Sequence, residues 1–227
     1  KYFSLTENKG ANYCRNFGVN NSSGDYIAFL DSDDMYLEEK IEKQVEIIEK
    51  YKSSNVGIVF SNYKTNGKYV NKVKEDRIIT LKDVLFRNKL GGFSLVLTKK
   101  SIFFEVGGLD NNLLSCQDWD FYIKVLRRYN GYYMKEPFVD YCLQEDSITK
   151  NPNKVFKGHE LLFSKIIELN NEEHFVSNQD LISSQLIVLG DLHRRFLDFQ
   201  KSKEYYIKSL KTKNNFEALV KLISISF

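Results

Sequence analysis

Three aspartates lie within four residues, directly after a short apolar run. Asp31, Asp33 and Asp34 follow the run 26–30, which has the composition of a buried strand, and a helix-like segment comes next. In open α/β sheets, ligands bind at the carboxyl ends of the strands, and carboxylate oxygens are ligands that Mg²⁺ and Mn²⁺ prefer. The pattern therefore predicts a site where a divalent metal bridges a nucleotide diphosphate.

Other interpretations of the acidic segment are weaker. Aspartates are common in turns and at helix N-caps, so the segment could be purely structural. A calcium loop would use Asp31, Asp33 and Glu42, but Tyr36 stands where that loop needs glycine, which excludes it. A phosphatase of the haloacid dehalogenase type also places Asp-x-Asp after a strand, with the first Asp as nucleophile. Met35 departs from that pattern, and this reading stays a minor alternative.

Bulk composition narrows the function class. The 227 residues, 42% of them hydrophobic, can bury a core, and the net charge of +3 from 33 basic and 30 acidic residues gives no strong field. Nucleic acid is therefore not predicted as a partner. Three distant cysteines without a CxxC pair favour free thiols and a cytoplasmic location. No apolar run approaches the roughly 18 residues that span a bilayer, so at most a peripheral membrane association is expected.

The acidic segment lies within a predicted strand–helix–strand unit. Helix 11–23 precedes strand 25–30, helix 37–51 follows the acids, and residues 56–61 form a second strand. Such a unit predicts a parallel sheet. The apolar stripe of the second helix is predicted to consist of Ile41, Val45 and Ile48.

The chain then continues with mixed elements up to about residue 150. An Asn66-Gly67 turn predicts an edge hairpin within 63–74. The remaining predicted elements are helix 80–87, strand 94–98, helix 99–106 ended by Gly107-Gly108, helix 117–129 and strand 132–143.

The last third of the chain is helical in pattern. No strand-like run occurs after about residue 155, and we therefore predict two domains, 1–152 and 153–227. Within the second, the pair Leu189-Gly190 and the residues Ser202, Tyr206 and Ser209 have the offsets of a tetratricopeptide-type helical hairpin, although His193 and Asn214 depart from the usual residues.

The acidic segment is accompanied by further motifs in a fixed order. Asn8-Lys9-Gly10 and Cys14-Arg15-Asn16-Phe17-Gly18 precede it, while Gly107-Gly108-Leu109-Asp110 leads to Gln117-Asp118-Trp119-Asp120. This order resembles the family 2 glycosyltransferases of GT-A fold, over about residues 8–150. The resemblance implies an α/β fold with a Rossmann-like mixed sheet, to which a C-terminal helical region is attached.

The resemblance assigns the donor side of the site. It implies that Asp33 contacts a Mn²⁺ or Mg²⁺ ion, and that Asp31 contacts the nucleotide ribose or, through water, the metal. Asn8 and Arg15 are placed beside the nucleotide. Arg15 could instead form a salt bridge that supports the acidic turn, because an arginine fork suits either contact. Asp34 could support the metal site or cap the following helix.

The resemblance also assigns the acceptor side. The family inverts the anomeric centre by direct displacement, which needs a base, and Asp118 matches that residue. Asp118 could alternatively be a first-turn acid favoured by the helix dipole. Gly107 and Gly108 would allow the backbone close to the acceptor or simply end a helix. Trp119 and Asp120 would contact a sugar or pack as structural residues.

Some positions depart from the family pattern. Gln117 replaces the usual Glu, and Cys142 and Gln144 stand where many relatives have Arg and His. The chain also begins at Lys1, after the point where family members have their first nucleotide-binding strands. We therefore expect an N-terminally truncated GT-A domain with one sheet edge uncovered and feeble activity compared with a longer parent.

The sequence as a whole predicts a metal-dependent inverting glycosyltransferase. The expected donor is a nucleotide sugar, foremost a UDP-sugar, and the expected acceptor is a glycan, a lipid-linked glycan or a protein. Cell-envelope polysaccharide synthesis at the inner face of the membrane, with a protein partner on the C-terminal helices, fits this reading. The alternative is a non-catalytic scaffold derived from a glycosyltransferase. Retention of Asp31, Asp33 and Asp118 argues against that alternative.

Overall fold

The computed structural model describes residues 1–70, 72–142 and 151–225, which form two compact units. The sheet unit contains residues 1–81, 89–113 and 117–142, and the helical unit contains residues 82–88, 114–116 and 151–225. The units interleave along the chain, and the domain boundary placed between residues 152 and 153 stays a prediction.

Helices and strands alternate in the first two thirds of the chain, and helices alone follow. The elements in chain order are α1 (Ala11–Asn20), β1 (Tyr26–Ala28), β2 (Met35–Tyr36), α2 (Lys40–Lys50), β3 (Val56–Thr65), β4 (Lys68–Val70), β5 (Arg77–Ile79), α3 (Lys82–Leu85), β6 (Leu97–Lys99), α4 (Lys100–Glu105), α5 (Gln117–Leu126), β7 (Asn130–Asp140), α6 (Pro152–Glu173), α7 (Asn178–Arg195), α8 (Phe199–Thr212) and α9 (Phe216–Ser224).

All seven described strands belong to one mixed sheet, which confirms the predicted fold class. The main strand order is β1-β6-β3-β7-β2, with β4 beside β3 and β5 beside β7. Strands β3 and β7 pair in parallel, whereas β6 pairs antiparallel with both β1 and β3. Strands β1 and β3 therefore run in the same direction, as the predicted strand–helix–strand unit requires, with one strand between them.

The expectation of a purely parallel sheet at β1 was wrong. Strand β1 is three residues long instead of six, and its described neighbour is the antiparallel strand β6. The apolar run 26–30 indicates a strand, but it carries no information about which strand becomes its neighbour. That neighbour comes from residues 97–99, about seventy positions further along the chain.

The predicted edge hairpin is confirmed. Strands β3 and β4 pair antiparallel from Tyr63 opposite Val70 to Thr65 opposite Lys68. Asn66 and Gly67 form the turn with φ of 52° and 71°. These left-handed conformations match the twist of a two-residue hairpin, and asparagine and glycine tolerate them best.

The buried face of α2 differs from the predicted stripe. Ile41 is 41% exposed, whereas Lys40 and Gln44 are 1% and 0% exposed and lie on the same face as the buried Ile48. Val45 packs against the core from the edge of that face. Ile41 has the spacing of an inner-face residue, and the prediction was wrong at this position. The inner face holds Lys40 and Gln44 instead, which form a hydrogen bond with each other.

A polar network accounts for this burial. The Lys40 ammonium donates to Gln44 Oε1 at 2.7 Å and lies 4.2 Å from the centre of the Tyr36 ring. Gln44 Nε2 donates in turn to the carbonyl oxygens of Val59 and Leu95. The amide thus joins α2 to β3 and to the segment before β6, while burial lowers the pKa of Lys40 to about 7.

The helical unit contains an antiparallel hairpin of α7 and α8. Gly190 faces the fully buried Tyr206 ring, and Ser202 Oγ donates to the Gly190 carbonyl at 2.8 Å. At the other end, the hydroxyls of Ser183 and Ser209 lie 2.8 Å apart. Gly190, Ser202, Tyr206 and Ser209 are positions that the repeat pattern singles out, whereas Ser183 is not, and membership in the tetratricopeptide class stays a prediction.

Two expectations concern the chain as a whole. Cys14, Cys116 and Cys142 are all free thiols. Across residues 1–70, 72–142 and 151–225, the helices are too short or too polar to cross a lipid bilayer.

Burial of Lys40 predicts a pH-dependent stability. Its pKa in the folded chain, about 7, is lower than the ordinary value of 10.5, so the unfolded chain binds more protons between these limits. The free energy of unfolding therefore rises with pH in this window, by on the order of 2 kcal/mol from pH 7 to pH 9. Urea denaturation at pH 7, 8 and 9 measures this rise, and Lys40→Met is expected to remove it.

Lys43→Met is the matched control, because Lys43 lies on the same helix with an exposed side chain. Its pH dependence is expected to follow that of the unmodified chain. An unchanged slope in Lys40→Met would show that other groups cause the rise.

Candidate functional site

The sheet topology brings distant residues to one edge. Because β1, β3 and β7 run in the same direction, their carboxyl ends lie at the same edge of the sheet. The acidic turn, residues 31–34, follows β1, and Tyr141 follows β7 directly. Near the end of β3, the Tyr63 ring lies 5.5 Å from that of Tyr141.

Backbone contacts fix the acidic turn. The Asp34 N–H donates to the Asp31 carbonyl at 3.0 Å and closes the turn. The Asp31 N–H donates to Ser94 Oγ at 3.1 Å. Ser94 is 1% exposed and lies just before β6, whose amino end reaches this edge because β6 runs antiparallel to β1. The side chain of Ser94 thus supports the turn from the neighbouring strand.

Arg15 is the ion-pair partner of Asp31. Its Nη2 lies 2.5 Å from Asp31 Oδ1, with 19% and 36% of the two side chains exposed. The guanidinium carbon stacks 4.8 Å from the centre of the Phe93 ring. The second terminal nitrogen, Nη1, is buried and makes no hydrogen bond in the described structure. Arg15 therefore supports the turn, and its predicted contact with the nucleotide stays a prediction.

Asp34 is the buried carboxylate of the turn. It is 7% exposed, and its Oδ1 accepts a hydrogen bond from the Cys142 N–H at 3.2 Å. Burial raises the pKa of Asp34, hydrogen bonds from Ser94 and Cys142 oppose that rise, and the charges of Asp33 and Asp31 add to it. The carboxylate connects the turn to the chain beyond β7, so the observed role of Asp34 is structural.

Asp33 differs from Asp31 and Asp34 in its contacts. Its side chain is half-buried and has no hydrogen bond or ion pair within the part of the chain that the structure describes. Asp33 and the second oxygen of Asp31 are hard carboxylate ligands of the type that Mg²⁺ and Mn²⁺ take. The described residues include no cluster of three or more metal-binding side chains. Two carboxylates still fit a metal that takes its other oxygens from a diphosphate and water.

Asp118 lies in the first turn of α5. Its Oδ1 accepts a hydrogen bond from the Trp119 N–H at 2.8 Å. The same carboxylate acts on Tyr141, whose pKa is raised to about 12, first by burial and then by the charges of Asp34, Asp31, Asp33 and Asp118. The charges of all four acids therefore act on one phenol.

Tyr122 lies on α5, one turn beyond Asp118, and is completely buried. Burial raises its pKa well above the ordinary value, Asp118 and Asp31 add to the rise, and the Arg15 guanidinium opposes it. The Phe93 ring, on which Arg15 stacks, lies 6.1 Å from the Tyr122 ring. Packed aromatic side chains therefore connect the ion pair of the acidic turn to α5.

The two glycines end a helix and make room for Asn16. Gly107 and Gly108 have φ of 80° and 63°, and their N–H groups donate to the carbonyls of Phe104 and Phe103 at the end of α4. A Cβ at Gly108 would lie 3.0 Å from Asn16 Oδ1. That amide exchanges hydrogen bonds with the Leu109 backbone in both directions. The acceptor-side role of the glycines stays a prediction.

Trp119 and Asp120 are both 3% exposed. Lys124 pairs with Asp120 Oδ2 at 2.9 Å and also donates to the Gly108 carbonyl at 3.2 Å. The pair thus joins α5 to the glycine turn. The burial of both side chains favours the structural alternative, and their contact with a sugar stays a prediction.

Asn8 lies outside the regular elements and is exposed. Its Oδ1 accepts a hydrogen bond from the Gly10 N–H at 3.0 Å, just before α1 begins. The contact with the nucleotide stays a prediction. Gln144, which takes the place of the family histidine, lies outside the described residues.

Sequence reasoning did not single out Ser94 or Tyr141 as site residues. Ser94 is one of many serines, and its position beside Asp31 depends on the pairing of β1 with β6. The predicted strand 132–143 includes Tyr141, and only the observed end of β7 at Asp140 places this residue at the ligand-binding edge of the sheet.

Comparison with known sequences agrees with this geometry. The model of the family described as "Glycosyl transferase family 2" matches residues 1–106. An uncharacterized glycosyltransferase of Haemophilus influenzae is 28% identical over 232 residues, which cover 95% of this chain and 74% of that protein. Escherichia coli WfgD, a UDP-Glc:alpha-D-GlcNAc-diphosphoundecaprenol beta-1,3-glucosyltransferase, is 28% identical over 66% of this chain and 58% of its own length.

Solved structures show the same fold. S. aureus TarS 1–349 in complex with UDP-GlcNAc matches 97% of this chain and 61% of its own, with a TM-score of 0.62 and 16% identity. The mannosyltransferase PcManGT from Pyrobaculum calidifontis, in complex with GDP-Man and Mn²⁺, matches 97% of this chain and 60% of its own, with a TM-score of 0.51 and 13% identity. The chain thus spans about three fifths of each of these two structures, and the predicted GT-A fold is confirmed.

The different surroundings of Asp33 and Asp34 predict different effects on stability. Asp34→Ala removes the buried carboxylate that accepts the hydrogen bond from the Cys142 N–H, and it is expected to lower the free energy of unfolding by about 1–3 kcal/mol. Asp34→Asn keeps an acceptor and is expected to cost less. Urea denaturation of the two variants measures the difference.

Asp33→Ala is the matched control for Asp34→Ala. It removes a carboxylate that has no partner in the described structure, so its effect is expected to stay within about 0.5 kcal/mol. Equal losses in Asp33→Ala and Asp34→Ala would contradict the assignment of the structural role to Asp34 alone.

Proposed function

We propose that this chain, of which residues 1–106 match the glycosyl transferase family 2 model, transfers a sugar from a nucleotide-diphosphate donor to an acceptor hydroxyl, with inversion at the anomeric carbon. The observation that carries the proposal is a chain of contacts: Arg15 pairs with Asp31 and stacks on the Phe93 ring, which lies 6.1 Å from the ring of Tyr122, one turn beyond Asp118 on α5. The acidic turn supplies carboxylates for the donor side, and Asp118 supplies a carboxylate for the acceptor side.

The acidic turn serves the departing nucleotide. A bound divalent metal would neutralise the charge that develops on the diphosphate as the glycosidic bond breaks. Asp33 would hold it, together with the free oxygen of Asp31. The Arg15 fork keeps the other Asp31 oxygen in place, which orients the carboxylate at the end of β1. The buried Nη1 of Arg15 is a spare donor that could reach a phosphate oxygen of the nucleotide.

Asp118 serves the incoming hydroxyl. Its Oδ1 is oriented by the Trp119 N–H, so the carboxylate is fixed relative to the first turn of α5. In the proposed step the carboxylate accepts the acceptor hydroxyl proton while the oxygen attacks the anomeric carbon and the nucleotide leaves. General base assistance of this kind contributes about 10²–10⁴-fold to a rate.

The known proteins suggest the substrate class. TarS binds UDP-GlcNAc, and WfgD uses UDP-Glc with a diphosphoundecaprenol-linked acceptor. Both names support a UDP-sugar as the donor, and the name of WfgD supports a lipid-diphosphate-linked glycan as the acceptor. PcManGT with GDP-Man and Mn²⁺ supports the metal, and it makes GDP the second nucleotide to test.

Donor binding tests the first half of the proposal. Calorimetric titration of UDP into the chain is expected to show saturable binding with Mn²⁺ and much weaker binding without it. Asp33→Asn is expected to weaken Mn²⁺-dependent binding at least ten-fold, because loss of even an outer-shell partner of a metal ligand costs about 10- to 100-fold in affinity.

Asp25→Asn is the matched control, because Asp25 is an exposed acid at the opposite end of β1. Its affinity for UDP is expected to equal that of the unmodified chain. Equal losses in Asp25→Asn and Asp33→Asn would point to a general charge effect, and UDP binding that ignores Mn²⁺ would contradict the metal role of the turn.

Sugar transfer tests the second half. Asp118→Asn is expected to bind UDP with unchanged affinity and to lose about 10²–10⁴-fold in kcat, because an amide cannot take the proton. The readout is UDP release from a panel of UDP-sugars in the presence of a lipid-diphosphate glycan acceptor. A variant that transfers at the normal rate would remove Asp118 from the role of base.

A further inference from the structure

The segment that leads into α5 is held by a contact that the proposed reaction does not explain. Residues 114–116 belong to the helical unit, and α5 begins at the next residue, Gln117. Ser115 is 8% exposed, and its hydroxyl lies 3.1 Å from the Lys154 carbonyl and 3.2 Å from the Val155 carbonyl, in the first turn of α6. A side chain three residues before Asp118 is therefore anchored to a helix of the C-terminal third.

Gly158 allows this close approach. A Cβ at Gly158 would lie 2.1 Å from Ser115 Oγ and 2.8 Å from both the backbone nitrogen and the backbone oxygen of Ser115. No side chain larger than hydrogen fits there unless the 114–116 segment moves. Glycine inside a helix costs about 1 kcal/mol relative to alanine, so its presence in the middle of α6 indicates a packing requirement.

Cys116 completes the anchored segment. It has a φ of 59°, which is rare for a residue with a side chain, and its sulfur lies 3.2 Å from His159 Nδ1. His159 Nδ1 also lies 2.8 Å from the Val155 carbonyl, so this nitrogen carries the proton. Burial lowers the pKa of His159 and favours its neutral form. The backbone is thus fixed in an unusual conformation at the residue that precedes α5.

We propose that Ser115 and Gly158 are positioning residues, which fix the start of α5 and thereby orient the Asp118 carboxylate toward the acceptor. This inference rests on the proposed function, because it assigns a purpose to the orientation of Asp118. A displacement of about 1 Å at a reacting group can cost about 100-fold in rate.

Trp119 provides a readout that does not depend on activity. It is the single tryptophan of the chain, follows Asp118 directly and is 3% exposed. Its emission and its quenching by acrylamide therefore report on the first turn of α5. In Gly158→Ala we expect a shifted emission maximum and about two-fold stronger quenching, because the added methyl group displaces Ser115 and the turn that follows.

Gly190→Ala is the matched control for Gly158→Ala. Its Cβ would lie 2.4 Å from the Tyr206 ring, so it overpacks the same unit at a place remote in sequence from residues 114–116. Both variants are expected to lower the unfolding temperature, but only Gly158→Ala is expected to change Trp119 fluorescence. Only Gly158→Ala is expected to lower kcat, by about ten-fold or more, with the affinity for UDP and Mn²⁺ unchanged.

Ser115→Ala keeps the test valid if Gly158→Ala does not fold. It removes the two hydrogen bonds without adding volume and is expected to lower kcat about three- to ten-fold with unchanged UDP affinity. In the double variant with Gly158→Ala, loss of the Ser115 hydroxyl removes the shortest clash, so part of the kcat is expected to return.

The outcomes separate the two proposals. Equal Trp119 fluorescence in Gly158→Ala and Gly190→Ala, or kcat losses that match in both, would overturn the positioning role. Asp118→Asn with normal transfer would overturn the proposed base, whereas a fluorescence change confined to Gly158→Ala would still show that α6 controls the start of α5.

Discussion

The structure at the candidate site depends on holding several carboxylates together at one edge of the sheet. Like charges repel, and they repel more strongly where burial excludes water. The acidic turn meets this constraint with contacts drawn from distant parts of the chain: the Arg15 guanidinium, the Ser94 hydroxyl and the Cys142 N–H. Each of these comes from a different element around β1, β6 and β7. The shape of the turn therefore depends on the paired sheet, because the mixed strand order brings these three contacts to it.

Two polar side chains of α2, Lys40 and Gln44, are buried, and Lys40 lies next to Tyr36, which follows the acidic turn. Lys40 lies buried under Tyr36, whose hydroxyl donates to the Phe29 carbonyl just before the turn, and Gln44 connects Lys40 to two further segments. Burial alone lowers the pKa of Lys40 to about 7, with no carboxylate among the causes. At neutral pH this amine is therefore only partly charged. It connects α2 to the sheet through hydrogen bonds, and it does not neutralise the acids above it.

Local patterns in the sequence predicted what is local in the structure. The Asn66-Gly67 turn, the helix ended by Gly107-Gly108 and the helical last third all follow from residue types within a few positions, and the structure confirms them. What depends on pairing between distant segments could not be predicted. The antiparallel neighbour of β1 is one example, and the contact of Ser94 with the turn is a consequence of it. Two-residue and three-residue strands such as β2 and β5 are too short to show a period. The ordered motifs singled out the acids, but not the phenol of Tyr141 on which their fields converge.

The charge balance at the site explains why the proposed donor and metal would bind together. Among the described contacts of the acidic turn, one guanidinium faces three carboxylates, and Asp118 adds a fourth negative charge in the field around Tyr141. Among these described groups the carboxylates outnumber the guanidinium, so they would repel a diphosphate that arrived without a cation. A bound divalent cation would reverse this balance, because it would attract both the carboxylates and the phosphates. The acids that disfavour a bare nucleotide are thus the groups that would favour a nucleotide with its metal.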